Sequence, residues 1–497
     1  MRSKLLGTTL LGLTLAACST GPAGLPDAAG GPDAARVPDA AEVPDAASVP
    51  DAAQDLPDGG LLEDAGQDAG AAPTADAGAP PAPDGAVSLL PAPDETFLLG
   101  AAGAPAPLFG PEASPTFTAG FAVLRQAGFN RFMPLFLTSE TTGTTHWTHF
   151  LPPLTDLPRA SSCLGPLNAW DELPDGLLVT FPAYLTLLDQ AETSTLAPEL
   201  AEERLGELLD QCLGGSTRRL GEAYLQDEPA NRHIGSIFDQ EPGTYPLVNV
   251  DTLAAAARRV LGRPTFLVEA PIPFLLPYLG VTPRDALIIE PAFWQAVDRT
   301  TAAADYYGFD VYPVDLTSDL TSVPEYVGQA RAHAPAAKPI VVLQGMGHRD
   351  LGVPLGTSGR RPTRAESRAM AFAAVAAGAR GIYWFGQSAT TLADGALWAD
   401  LLALVSDLRR SSGVFALPYS SFRFRPSVVG ATFAGADQTF VVLSNLADRQ
   451  TATPLPISAA VDIFDGLSGE LLRAGAGALD EVPLQPYEAR LLVLQRP

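Results

Sequence analysis

Glu222-Ala223-Tyr224-Leu225-Gln226-Asp227-Glu228-Pro229 is an apolar run that ends on two adjacent carboxylates and is closed by a proline. The run has the composition of a buried strand, and Pro229, with no N–H to give a ladder, stops it. The acids therefore stand at the strand's C-terminal mouth, where partly buried carboxyl groups suit proton transfer. The bland alternative is that Glu228 pairs with an arginine at the rim. Side chains alternate along a strand, so Asp227 points away from Glu228 if both remain in it. Asp227 would then cap the next helix or orient the loop.

The surrounding segments must place these acids, and they alternate. Strand-like runs fall at Thr96–Leu99, Asn130–Phe136, Leu177–Pro182, Glu222–Gln226, Thr265–Glu269, Tyr306–Val311, Pro339–Gln344 and Gly381–Phe385. Helix-period segments lie between them, at 117–127, 167–173, 198–213, 250–261, 293–301, 323–334 and 364–377, and 397–410 closes the series. This is the βαβ pattern, and eight repeats across about 320 residues match a (β/α)8 barrel with insertions. An open doubly wound sheet has the same local texture. The count of eight separates the two, and neither a strand-following G-x-G-x-x-G nor a G-x-x-x-x-G-K is present. From about Val414 the helical period is gone. Val428–Phe433, Gln438–Leu443, Ala460–Phe464 and Arg490–Leu494 read as short strands with Gly, Asp and Asn turns between them. The predicted fold class is α/β: a (β/α)8 TIM barrel over 94–413, then a small antiparallel β-sandwich domain over 414–497.

What precedes the barrel is of another kind. Arg2 and Lys4 lead a short apolar run, Leu5 to Leu15, and Leu15-Ala16-Ala17-Cys18 resembles a bacterial lipoprotein signal. That implies a signal peptide over 1–17 and a lipid anchor on Cys18; an ordinary signal peptide is the alternative. Ser19, and not Asp, follows the cysteine. By resemblance to other diderm lipoproteins this places the protein at the outer membrane, facing the periplasm or the cell surface. Pro-Asp-Ala-Ala then recurs at Pro26, Pro32, Pro38, Pro44 and Pro50. Proline at that period blocks a long helix, the aspartates repel, and little is apolar, so 18–93 is expected to be a disordered, extended tether.

The chain carries 31 Lys and Arg against 56 Asp and Glu, a formal charge of −25. Fifteen of the acids and a single Arg lie between Asp27 and Glu95, so over half of the excess lies in that N-terminal stretch. No basic cluster points to a nucleic-acid partner. Cys163 and Cys212 are either a disulfide or two thiols. With no CxxC and no ligand spacing among the five His, neither a metal nor another cofactor is expected.

From the second strand onward the residue order resembles the (β/α)8 glycoside hydrolases. The carriers are Ala127-Gly128-Phe129-Asn130, Tyr224-Leu225-Gln226-Asp227-Glu228-Pro229, Gly308-Phe309-Asp310-Val311-Tyr312-Pro313, Val342-Leu343-Gln344-Gly345 and Ala376-Ala377-Gly378-Ala379-Arg380-Gly381-Ile382-Tyr383-Trp384. The resemblance spans about Asp94 to Pro497. It implies hydrolysis of an O-glycosidic bond in an oligo- or polysaccharide outside the cytoplasm, with Glu228 as general acid/base.

The departure from the family is Gln344, which stands about where many retaining relatives have a nucleophilic Glu. Three readings follow: another carboxylate serves, the mechanism is inverting, or the barrel only binds sugar or a partner. The candidate second carboxylates are Asp310, then Glu269, then Glu290. For sugar contact the resemblance nominates Trp384 first, then Tyr312 and Trp294, as stacking platforms, with Asp227 and Gln344 as polar partners. Rim packing is the plainer role for those rings. His146 and Trp147 lie in the segment after the second strand, and His348 follows the seventh in a loop rich in Gly and Arg.

Overall fold

The computed structural model describes residues 89–102, 114–133, 173–183, 195–213, 215–238, 246–278, 281–348, 359–385, 395–457, 459–477 and 480–497. The signal peptide, Cys18, the tether up to residue 88, His146, Trp147 and Cys163 lie outside the described residues, as does the expected helix at 167–173 but for its last residue. Residues 89–93, expected in the tether, are described, and Leu89 and Leu90 pack against the core. The described residues belong to one compact unit.

Eight strands pair in parallel in chain order, and the last closes on the first. They are β1 (Leu98–Ala102), β2 (Arg131–Met133), β3 (Leu178–Pro182), β4 (Leu220–Asp227), β5 (Thr265–Glu269), β6 (Tyr306–Val311), β7 (Lys338–Gln344) and β8 (Gly381–Phe385). The described helices are α1 (Ser114–Ala127), α2 (Pro198–Leu213), α3 (Pro229–Phe238), α4 (Val248–Val260), α5 (Ile272–Leu275), α6 (Pro283–Thr300), α7 (Ser322–His333), α8 (Arg364–Ala377) and α9 (Gly395–Phe415). The predicted (β/α)8 barrel is thus formed.

Two helices differ from expectation, both because of proline. Pro229 ends β4 but also opens α3, since its missing N–H is an orphan at a helix start anyway. Helix α6 begins at Pro283, ten residues before the expected Phe293, and carries Pro291 inside it. Thr282 caps it by accepting from Asp285 N at 3.2 Å. Helix α8 has a full capping box between Thr363 and Glu366 and ends on Gly378 at φ 102°, a left-handed conformation that glycine tolerates.

Strand alternation sorts the core into two layers. Leu98, Tyr224, Phe266, Val268, Tyr306, Ile340, Val342 and Tyr383 share one buried cluster, the barrel interior. Their neighbours in sequence, such as Leu99, Leu225, Leu267, Tyr307, Val341 and Ile382, join the larger cluster between the strands and the helices. The Tyr383 ring occupies the space above Gly100, where a Cβ would come within 2.1 Å of it. Low in the barrel, Arg131 Nε meets Glu222 Oε2 at 2.8 Å in a buried ion pair. Asn130, from the Ala-Gly-Phe-Asn motif, accepts from Leu99 N at 2.9 Å and donates to Phe97 O at 2.9 Å, fixing the entry to β1.

After α9 come β9 (Tyr419–Arg425), β10 (Val428–Ala434), β11 (Gln438–Asn445), β12 (Thr451–Pro454), β13 (Val461–Asp465), β14 (Leu471–Ala476), β15 (Glu481–Leu484) and β16 (Ala489–Gln495). Six form a sheet in the order β14-β13-β16-β11-β10-β9, and β12 pairs with β15; the strand pairs are antiparallel. One face of the six-stranded sheet, with Phe433, Phe440 and Val442, shares the barrel's outer core. The other face packs Val441, Leu443 and Leu492 with Val482 and Leu484 of the small sheet. Ser444 Oγ donates to Ala369 O at 2.9 Å and ties the sheet to α8.

Candidate active site

The two adjacent acids do not obey simple alternation. Tyr224 pairs with Phe266 of β5, but the register then slips, and Asp227 stands opposite Val268. Val268 faces the barrel interior, so this bulge turns Asp227 inward. The Tyr224 phenol donates to Asp227 Oδ1 at 2.5 Å. Glu228 follows at φ 48°, a left-handed value that is strained for a residue with a side chain. Its N–H donates to Val268 O at 3.1 Å, and its Oε2 accepts from Asn231 Nδ2 at 2.8 Å. Glu228 lies beyond the end of β4, so the condition for the two acids to diverge is not met: a bulge and a left-handed turn bring both to the mouth.

Across the mouth, Asp310 shares the inward parity of Tyr306 and Gly308 on β6. Asp227, Glu228 and Asp310 are close enough for their charges to act on one another. Burial, then the Asp227 charge, pushes the Glu228 carboxyl up from 4.5 to about 8; the Asn231 bond and the Arg232 charge offset this only in part. Burial likewise raises Asp310 well above the carboxylate range, with Glu228 and Asp227 adding to it. The Tyr312 phenol is hydrogen-bonded to Asp310 and is itself pushed up by burial and by that carboxylate, so it stays protonated and donates. At the mouth, burial and mutual repulsion favour the protonated forms of Glu228 and Asp310.

Glu269 ends β5 but on the other side. Phe266 and Val268 face inward, so Glu269 faces outward, beneath the start of α3, and is fully buried. Both of its carboxylate oxygens accept from Ala230 N, at 3.1 and 3.0 Å. Burial raises its pKa well above the usual range, while these backbone bonds pull the other way. Its geometry is that of an anionic cap on a helix N-terminus, one layer behind Glu228.

Gln344 lies on the inward parity of β7, yet its amide is fully engaged. Oε1 accepts from Val314 N at 2.9 Å, and Nε2 donates to Val314 O at 3.1 Å and Met346 O at 3.0 Å. Both amide hydrogens are used, and the side chain is fully buried, so it is closed to a substrate hydroxyl. Trp384 is also misplaced by the sequence reading: it faces the helices, 1% exposed, edge-on to Phe129 at 6.1 Å. The next residue, Phe385, has the inward parity, and its ring lies parallel to Tyr312 at 5.7 Å and 13°. Trp294 sits on α6, stacked at 4.4 Å and 7° on His333 of α7, away from the mouth. Glu290 is exposed on α6.

Sequence reasoning missed Phe385 and Asn231, gave Tyr224 no role beyond its place in the motif, and placed His348 only in the loop after the seventh strand. Parity counted from Phe266 and Tyr383 would have found Phe385 and excluded Trp384 and Glu269. No sequence signal announced the β4 bulge. A further concavity of about 560 Å³, lined by Arg258, Arg263, Asp305, Tyr306 and Lys338, opens at the N-terminal ends of β5, β6 and β7, the opposite end from the acids.

A closed parallel barrel with an appended antiparallel sheet and acids at its C-terminal mouth defines a glycoside-hydrolase-like (β/α)8 fold. Solved structures of low sequence identity share it. The chain is similar to the D197A variant of a GH27 β-L-arabinopyranosidase from Geobacillus stearothermophilus, solved with arabinose, at 14% identity and TM-score 0.52, over 81% of this chain and 98% of that one. The wild-type form of that enzyme gives 14% and 0.51 over 81% and 97%. An Anoxybacillus α-amylase gives 10% and 0.50 over 81% and 98%. No protein-family model matches the sequence, and no curated protein matches it either.

Proposed function

We propose that this protein is a glycoside hydrolase, tethered at the outer membrane through a lipidated Cys18, that cleaves O-glycosidic bonds of an oligo- or polysaccharide outside the cytoplasm. The observation that carries the reading is the meeting of Glu228, Asp227 and Asp310 at one mouth, with the Glu228 carboxyl pushed up to about 8. A carboxyl that keeps its proton at neutral pH can donate it to a leaving glycosidic oxygen, and a second carboxylate then acts on the sugar or on water. Glu228 takes the first role, and Asp310 takes the second once it has given up its proton; the Tyr312 phenol bond favours that charged form against burial and the neighbouring acids. Asp227, held by the Tyr224 phenol, orients the site. Phe385 and Tyr312 supply aromatic surface for the apolar face of a sugar ring.

The test is hydrolysis of a panel of glycans by the wild type, Glu228→Gln and Asp310→Asn, with the anomer of the product followed by NMR. Cleavage by the wild type and its loss in both variants supports the reading. Equal cleavage in wild type and Glu228→Gln would sink the assignment of the acid. Glycan binding with no cleavage by the wild type would leave a carbohydrate-binding lipoprotein, the reading favoured by the absence of a carboxylate at Gln344. Membrane fractionation of Cys18→Ser against wild type tests the anchor.

A further inference from the structure

Asp310 is the carboxylate opposite Glu228, and the chain that follows it sets its surroundings. The Tyr312 phenol bonds to Asp310. Tyr312 is held in turn from β7 and β8. Its ring lies on Phe385, and its carbonyl accepts from His348 Nε2 at 3.2 Å. A carbonyl can only accept, so Nε2 carries the hydrogen. His348 also reaches the Val314 backbone and is only 4% exposed. Val314 itself is gripped on both its N–H and its C=O by Gln344, a fully buried side chain whose remaining amide hydrogen goes to Met346 O. Asp315, at φ 68°, accepts from Gly359 N at 2.5 Å and closes the turn.

We propose that Gln344 and His348 are positioning residues: from the end of β7 and the loop after it they fix the Tyr312–Asp315 segment so that the Tyr312 phenol holds Asp310 toward Glu228. The proposal deepens the hydrolase reading and rests on its assignment of Asp310 as the second carboxylate. It also gives Gln344 a task that glutamate could not perform. Glutamate would keep the acceptor for Val314 N but lose both donors, and would set a charge against two carbonyl oxygens. The groups acting on Asp310 are Asp227 at the end of β4 and Glu228 after it, Glu269 from the outer side of β5, and Tyr312 from its own segment. The three acids favour its protonated form; the phenol bond favours its charged form.

Carbon-13 NMR of the full chain labelled at the aspartate carboxyl carbon reads this directly, with the Asp310 signal assigned through Asp310→Asn. In Tyr312→Phe the Asp310 midpoint is expected to rise by about half a pH unit or more, the worth of one hydrogen bond. Gln344→Met and His348→Phe are expected to move it the same way, while Asp305 at the opposite end of the barrel stays put. His348→Gln keeps a donor and should restore the wild-type midpoint, and the His348 pair carries the test if Gln344→Met does not fold. An unmoved Asp310 in Tyr312→Phe overturns the proposal. So does a midpoint that moves in Tyr312→Phe but in neither β7 variant. The readout needs no substrate, so a wild type that cleaves no glycan would refute the hydrolase reading and leave this result standing.

Discussion

Asn231 Nδ2 donates to Glu228 Oε2 over 2.8 Å, so the helix that Pro229 opens reaches back to hold the acid that precedes it. One hydrogen bond to the charged form does not overcome burial and the neighbouring Asp227 charge, and the Glu228 carboxyl stays up at about 8. If Glu228 is the proton donor, kcat/KM falls as pH rises through that value, and it falls again on the acid side as Asp310 takes up a proton. Glu228→Gln is expected to lose roughly 10²–10⁴-fold in activity. Asn231→Ala removes the bond that favours the anion, so the alkaline limb should move to higher pH. A limb that stays in place in Asn231→Ala would separate Glu228 from the titration.

The same shift makes stability depend on pH. In the unfolded chain Glu228 titrates near its ordinary 4.5, and in the folded protein near about 8. Between those values the folded state holds a proton that the unfolded state has released. Its contribution to stability is therefore fully present below about 4.5 and is lost as pH rises through the folded value. Asp310 and Glu269, raised by burial, act with the same sign. Thermal melts from pH 5 to 9 should show Tm falling across this window, less steeply in Glu228→Gln. An identical slope in the variant would contradict the shift.

The barrel was legible because its signal is local and repeated: eight apolar strands alternating with amphipathic helices leave few other ways to bury both faces of a sheet. The mouth was only half legible. Asp227-Glu228-Pro229 announced the acids, but their common direction comes from a slip between β4 and β5, and pairing register is not written in one strand's sequence. Glu269 and Trp384 were misread for a simpler reason. Glu269 ends β5 and Trp384 stands one residue from the end of β8, yet each has the parity of the outer layer, and nearness to a strand end marks height in the barrel but not side. Gln344 was read for the charge that it lacks, when its amide serves the backbone of the neighbouring loop.

Phe385 and Trp384 are adjacent in β8 but face opposite layers, and their variants should fail in opposite ways. Trp384→Ala opens a cavity beside Phe129 in the outer core and is expected to cost about 3–5 kcal/mol of stability. Phe385→Ala removes a half-buried ring at the mouth and should leave the melt nearly unchanged. If a sugar stacks there, its KM rises roughly tenfold, the worth of one aromatic contact. Denaturant melts beside glycan kinetics check both. A destabilised Phe385→Ala with unaltered KM would place that ring in the core.

Gln344→Glu would install the residue that many retaining relatives carry at this point, and the geometry argues against any gain. The side chain is fully buried, and two of its three bonds are donated to the carbonyls of Val314 and Met346. A carboxylate there would point lone pairs at those oxygens and leave them without donors, at a cost of about 1–3 kcal/mol. Protonation would relieve part of the repulsion, so the installed Glu should titrate well above its ordinary value, and the variant should be closer to wild type at pH 5 than at pH 8. Activity is expected to fall, because the Tyr312–Asp315 segment loses its grip. Paired melts and glycan assays at the two pH values decide the matter: a Gln344→Glu protein as stable as wild type at pH 8 and more active would show that the position looks into the substrate site and not into the neighbouring loop.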